Sequence, residues 1–174
     1  SLTPVMAKAP RTMNALVQSA PSTWLLKNLI GYVDTPALSS PSLIHRVKND
    51  AWVLSSKQQL SELQALSPEQ KKEHVIVVQD PFTSFYDAEV VEKLIKCIKR
   101  LGKTPILLPF SPNGKPQHVK GFLAKFDKTV RNTSAFLQQA ASLNIPMVGA
   151  DASLVLCYRD EYAKILGEDT LKFS

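Results

Sequence analysis

Three short stretches of this chain hold the side chains best suited to chemistry: Asp80, Thr83, Ser84 and Tyr86; then Ser111, Asn113, Lys115 and His118; then Asp151 and Ser153. Asp80 and Asp151 are carboxylates of the kind that a divalent cation or an acid/base pair uses. That would make the chain a metal-dependent hydrolase, a role that competes at Asp151 with simple helix capping. His118 could carry a proton near neutral pH, and competes with a merely solvated or capping histidine. Asn113, Gly114 and Lys115 offer a different chemistry. A turn that exposes backbone N–H groups beside one cation and a helix start suits a small anion, a carboxylate or a phosphate. The sequence has no Cys/His cluster at metal-binding spacing, no phosphate-cradling Gly-rich loop and no Gly-x-Ser-x-Gly nucleophile elbow.

These stretches need elements to position them. The central one, PILLPFSPNGKPQHVKG at 105–121, reads as a buried strand (Ile106, Leu107, Leu108), a Pro- and Gly-broken loop, and a helix starting near His118. Upstream, Val75-Ile76-Val77-Val78 is an uninterrupted β-branched run, as in a strand covered on both faces. The spacing then predicts a helix after Asp87, with Val90, Val91, Leu94, Ile95, Ile98 and Leu101 inward and Gly102 ending it. Helical spacing resumes at Val119, Phe122, Leu123, Phe126 and Val130 and continues through Phe136, Leu137, Ala140 and Leu143, as one bent helix or two. A third strand at 146–149 leads to a helix capped by Asp151, with Leu154, Val155, Tyr158, Tyr162 and Ile165 inward. Successive strand–loop–helix units imply right-handed crossovers and a parallel sheet. The expected fold is therefore a three-layer α/β domain with a parallel sheet of three or four strands, over 56–174. All strand-to-helix loops of such a sheet leave at one edge, so the three stretches should gather there, the default ligand site of the architecture.

Before it, 1–55 has another texture. Asn14–Val17 falls in a short helical segment, Trp24 to Ile30 in a second, and a Pro- and Ser-rich connector follows; this reads as an arm and linker. At 56–66, Leu60, Leu63 and Leu66 line one side of a helix, and Ser67-Pro68-Glu69-Gln70 is a capping-box start.

The hydrophobic fraction of 44% and charged fraction of 21% are those of a water-soluble globule, and no apolar run is long enough to span a bilayer. The formal charge of +6 raises nucleic-acid binding as a function. Its basic residues are dispersed and no nucleic-acid motif occurs, so a solvated surface or a face for an acidic partner fits better. Cys97 and Cys157 fall inside predicted helices, which excludes a disulfide scaffold and suits a reducing cytoplasm.

Four segments carry a resemblance: NALVQS with WLLKNLIGYVDTPALSSPSL, VIVVQDPFTSFYDAEVV, LLPFSPNGKPQHVKGFLAKF and VGADASLVLCYRDEY. Together they resemble the C-terminal part of bacterial FAD-linked oxidase/iron–sulfur fusion proteins of the D-2-hydroxyglutarate dehydrogenase type. The domain is similar to the cysteine-rich CCG domain, which carries one Cys after its first strand, Cys-Cys-Gly-x-Pro after its second and Cys-Pro-x-Cys after its third. Here Phe82 takes the first position, 112–116 keeps the Gly and Pro of the second without its cysteines, and 151–154 lacks those of the third. Arg159-Asp160-Glu161-Tyr162 matches the charged–Tyr ending. The resemblance implies a parent oxidoreductase that oxidises a D-2-hydroxy acid with FAD and a 4Fe-4S centre on other domains, the FAD-binding and ferredoxin-like ones. It implies no cofactor in this segment, which lacks the thiolates, and a place in the cytoplasm or at the periphery of the inner membrane. The segment alone is then expected to be inactive, serving substrate-site completion or inter-domain docking. The alternative from the residues alone is a stand-alone small-anion-binding or regulatory module.

Overall fold

The computed structural model describes residues 3–19, 22 and 36–167; the second helical segment expected at Trp24 to Ile30 lies outside them. Four strands, β1 (Trp52–Val53), β2 (His74–Val78), β3 (Thr104–Leu107) and β4 (Met147–Gly149), form one sheet in the order β1-β3-β2-β4, with every pairing parallel. β1 belongs to the stretch read as arm and linker. It is two residues long, too short to leave a periodic signal, and is held by its register against β3, Trp52 opposite Ile106 and Val53 opposite Leu107.

Neighbouring residues on a strand face opposite ways, and the core divides accordingly. Ile76 and Ile106 point into one cluster with Leu60, Leu63, Phe126, Val130, Leu137 and Tyr162. Val77 and Leu107 point into another, with Leu43, Val47, Val91, Ile95 and Ile98. The two clusters define the outer layers. α3 (Leu43–Val47) and α7 (Ala88–Arg100) cover one face; α4 (Leu60–Gln64) and α9 (Leu123–Ala141) cover the other, helped by the C-terminal helix. The three-layer α/β arrangement expected from the periodicity is present.

Pro105 lies inside a strand with neighbours on both sides, a position that proline normally avoids. Thr104 N and Leu108 N donate to the β2 side, to the Glu73 and Val77 carbonyls. Pro105, one residue out of phase, has its nitrogen toward β1, whose pairing begins only at Ile106, so no ladder bond is lost.

Local capping follows the sequence closely. Ser67 accepts from Gln70 N and the Gln70 side chain bonds back to Ser67 N at 2.8 Å, fixing α5 (Pro68–Lys72). The buried stripe of α7 is narrower than expected: Val91, Ile95 and Ile98 are buried, whereas Val90 lies one residue off the stripe and Leu101 beyond the last turn, both exposed. The long apolar stretch is two helices, α8 (Lys115–Val119) and α9, and at the corner between them Val119, Phe122 and Leu123 stand in solvent. α8 also starts earlier than His118. Pro116 sits in its first turn, where no N–H is needed, and Gly114 caps it at φ +79°. The N-terminal α1 (Thr3–Met6) and α2 (Pro10–Val17) are tied down by Asn14, whose side chain accepts from Leu38 N and donates to the Leu38 carbonyl, each at 2.8 Å.

Candidate functional site

Because all four strands run the same way, their exits lie on one edge: 54–55 after β1, 79–80 after β2, 108–114 after β3 and 150–151 after β4. β2 feeds α7 on one face and β3 feeds α9 on the other, so adjacent strands send their loops to opposite sides, the arrangement that opens a crevice in such sheets.

The 111–118 loop is held from beneath. Thr133 Oγ1 donates to the Pro112 carbonyl at 2.7 Å and lies 3.2 Å from Ser111 Oγ. Fully buried Tyr162 donates its hydroxyl to the Asn113 carbonyl at 2.8 Å. Asn113 Oδ1 accepts from Lys115 N at 3.0 Å, an Asx turn that presents the start of α8. The ring of Phe126 packs beneath, 4.8 Å from that of His118 and 6.2 Å from that of Tyr162.

On this base stands an ionic group. Lys115 Nζ pairs with Glu161, and His118 Nδ1 lies 3.9 Å from the same carboxylate oxygen, Glu161 Oε1. Glu161 belongs to a wide π-helical turn, Cys157–Glu161, set between α10 (Ala152–Leu156) and α11 (Tyr162–Leu166); such turns recur at functional sites. Its second oxygen, Oε2, is buried and has no hydrogen-bond partner. Burial pushes the Glu161 carboxyl upward, but bonds from the Cys157 thiol and the Lys115 ammonium outweigh it and hold the group below the usual carboxylate value. Lys115 is correspondingly lifted by its bond to Glu161. Cys157 is pushed up to about 12, by burial first and by the adjoining carboxylate second, so its thiol stays protonated and un-nucleophilic at neutral pH.

A carboxyl held below its unfolded value stabilises the fold above the unfolded pKa, near 4.5, and that contribution disappears as pH falls through the folded pKa. Thermal melts of the chain and of Glu161→Gln should therefore differ most near neutral pH, with the gap closing below about pH 4. A gap of constant size from pH 7 to pH 3 would show that Glu161 is not depressed.

The remaining expected residues go elsewhere. Asp80, 1% exposed, is the N-cap of α6 (Pro81–Phe85): Oδ1 accepts from Phe82 N and Thr83 N at 2.8 Å each, and Oδ2 accepts from the Thr83 hydroxyl. Asp151 caps α10, accepting from Ser153 N at 2.9 Å and Ser153 Oγ at 2.7 Å. Their oxygens satisfy helix starts. Tyr86 faces the arm, beside Met13, Asn14 and Leu38. Asn113, Gly114, Lys115 and His118 do come together. The sequence reading missed their partners Glu161, Cys157 and Tyr162, with Glu161 standing 46 residues beyond Lys115. The available signal was a carboxylate set beside the inward Tyr162, in the turn that Cys157 opens.

Iron–sulfur ligation needs thiolates. The chain has two cysteines, Cys97 exposed on α7 and Cys157 buried on the opposite face of the sheet, and among the described residues no group of three or more His, Cys, Asp or Glu could hold a metal ion. This donor set does not fit a cluster. No helix among the described residues is long and apolar enough to cross a membrane.

Fold and site together define an open parallel α/β domain whose loop cluster sits at the carboxyl edge, carrying an ion pair and no metal-ligand group among the described residues. The chain is 48% identical over 174 residues, its whole length, to D-2-hydroxyglutarate dehydrogenase of Escherichia coli. It is 42% identical over 165 residues to the protein of that name in Haemophilus influenzae, and 34% over 167 residues to that of Pseudomonas putida, 95% and 94% of the chain. It spans only 16–17% of the length of these curated relatives. No protein-family model and no solved structure matches it.

Proposed function

We propose that this chain is one domain of an FAD- and iron–sulfur-dependent dehydrogenase acting on a D-2-hydroxy acid of the 2-hydroxyglutarate class, and that it serves by docking against the flavin and ferredoxin-like domains of the same parent chain. The observation that carries this is the 48% identity sustained over the full 174 residues. Two features support a docking role. The donor set suits no cluster of its own. The corner of Val119, Phe122 and Leu123, 74%, 53% and 62% exposed, is a local apolar patch of the sort that a neighbouring domain covers. An anion site built on Asn113, Gly114 and Lys115 would need that lysine free for its ligand, and Lys115 is already paired with Glu161.

The test is a transplant. The matching segment of the Escherichia coli relative is replaced by these 174 residues, and oxidation of D-2-hydroxyglutarate is followed with an artificial electron acceptor. The chimera should turn over, the isolated chain should not, and Phe122→Ser with Leu123→Ser in the chimera should lower activity. A chimera that loads flavin yet is inactive, or turnover by the isolated chain, would overturn the reading.

A further inference from the structure

A cavity of about 500 Å³ opens at the carboxyl edge of the sheet, and none of the Lys115 cluster lines it. Its walls come from the ends of three strands and from helices α1, α3 and α6, and include Leu54 after β1, Gln79 after β2, Phe110 after β3, Ser84 and Phe85 of α6, and Lys8 just after α1. The volume is that of a site for a small organic molecule, and the location is where parallel α/β sheets bind one.

Two buried polar side chains in the lining have bonding capacity to spare. Ser84 is 2% exposed and its hydroxyl has no hydrogen-bond partner. A helical serine usually bonds back to the preceding turn, and a buried hydroxyl left without a partner calls for an explanation. Gln79, 8% exposed, donates through Nε2 to the Leu108 carbonyl at 2.7 Å, a bond that does not use its Oε1. Around them the wall is apolar, with the rings of Phe85 and Phe110 in edge contact, centroids 4.8 Å apart.

The mouth has the opposite character. A neighbouring crevice lined by Lys8, Arg11, Ser42 and His45 shares Lys8 and Ser42 with the cavity, so the two adjoin. Among the described residues neither Lys8 nor Arg11 is in a salt bridge. Cations at the entrance, aromatic walls and spare hydrogen-bonding groups within describe one kind of guest.

We propose that this cavity binds an amphipathic organic anion. Its carboxylate or phosphate head would rest on Lys8 and Arg11, and its apolar body would run inward past Phe85 and Phe110 toward Ser84 and Gln79. This site does not depend on the dehydrogenase reading, since it asks only what the chain itself binds.

Isothermal titration of the 174-residue chain with octanoate, octyl phosphate, octanol and inorganic phosphate tests it. Both octyl anions should bind, the tighter one identifying the head, while octanol and inorganic phosphate should each bind at least about tenfold more weakly. Lys8 and Arg11 are on the surface, so Lys8→Glu with Arg11→Glu should leave the fold intact and weaken octanoate and octyl phosphate by about tenfold or more. Ser84→Ala should raise Tm, by removing an unpaired buried hydroxyl, while weakening the same ligands. Octanol binding as tightly as the anions, inorganic phosphate binding as tightly as octyl phosphate, no binding of either anion, or unchanged affinity in the Lys8/Arg11 variant would each overturn the proposal.

Discussion

Gly114→Ala is expected to destabilise the chain by about 3 kcal/mol, read as a fall in Tm of roughly 6–12 °C. Two costs combine. At φ +79° the backbone of Gly114 is left-handed, and a Cβ there meets the following carbonyl oxygen at a cost of about 1–2 kcal/mol. That Cβ would also stand 2.7 Å from Phe126 Cδ2, inside any normal contact, and Phe126 is 2% exposed with little freedom to retreat. Gly102 is the control. It has φ +76°, and nothing lies within 4 Å of the point where its Cβ would stand, so Gly102→Ala should show the backbone cost alone, about 1–2 kcal/mol. Equal losses at the two positions would mean that Phe126 does not press on the loop.

The comparison of these two glycines also shows how far the sequence could be read. Both belong to turn signals that are local in the chain, and local signals carried most of the fold. The β-branched run of β2, the capping box at Ser67, and the i, i+4, i+7 stripe of Val91, Ile95 and Ile98 are each written over a few neighbouring residues. What failed was whatever depends on partners distant in the chain. β1 is a strand because Leu107 and Ile106 accept it, not because Trp52-Val53 reads as one. Val119, Phe122 and Leu123 continue the helical spacing, yet all three stand exposed at the corner between α8 and α9, which spacing alone does not reveal. At the site the loop 111–118 was visible through its turn residues, whereas the Lys115–Glu161 pair joins positions 46 apart. No spacing rule reaches that far; only the packing of the C-terminal helix against α9 brings them together.

That helix is anchored by Tyr162, and the second large effect is expected there. Tyr162→Ala removes a fully buried ring from between Phe126 and Tyr158, and should cost about 4 kcal/mol in transfer and cavity terms. Tyr162→Phe keeps the ring and deletes only the hydroxyl that donates to the Asn113 carbonyl at 2.8 Å. The loss there should be about 1–2 kcal/mol, above that of an average hydrogen bond because Asn113 is 6% exposed and its carbonyl is left without a donor. The two variants separate packing from loop anchoring. Burial drives the Tyr162 hydroxyl's pKa far above its ordinary value, so it remains a donor across the accessible pH range and the Tyr→Phe difference should not vary between about pH 6 and pH 9. Native-state hydrogen exchange supplies the local readout: amides of Lys115, Gln117 and His118 should exchange faster in Tyr162→Phe, by about tenfold for each 1.4 kcal/mol lost, while those of β2 follow only the global change. If the Phe variant melts with the parent chain and the 115–118 amides keep their protection, the hydroxyl does not hold the loop, and the geometry that positions Lys115 and His118 against Glu161 must come from Thr133 and Phe126 alone.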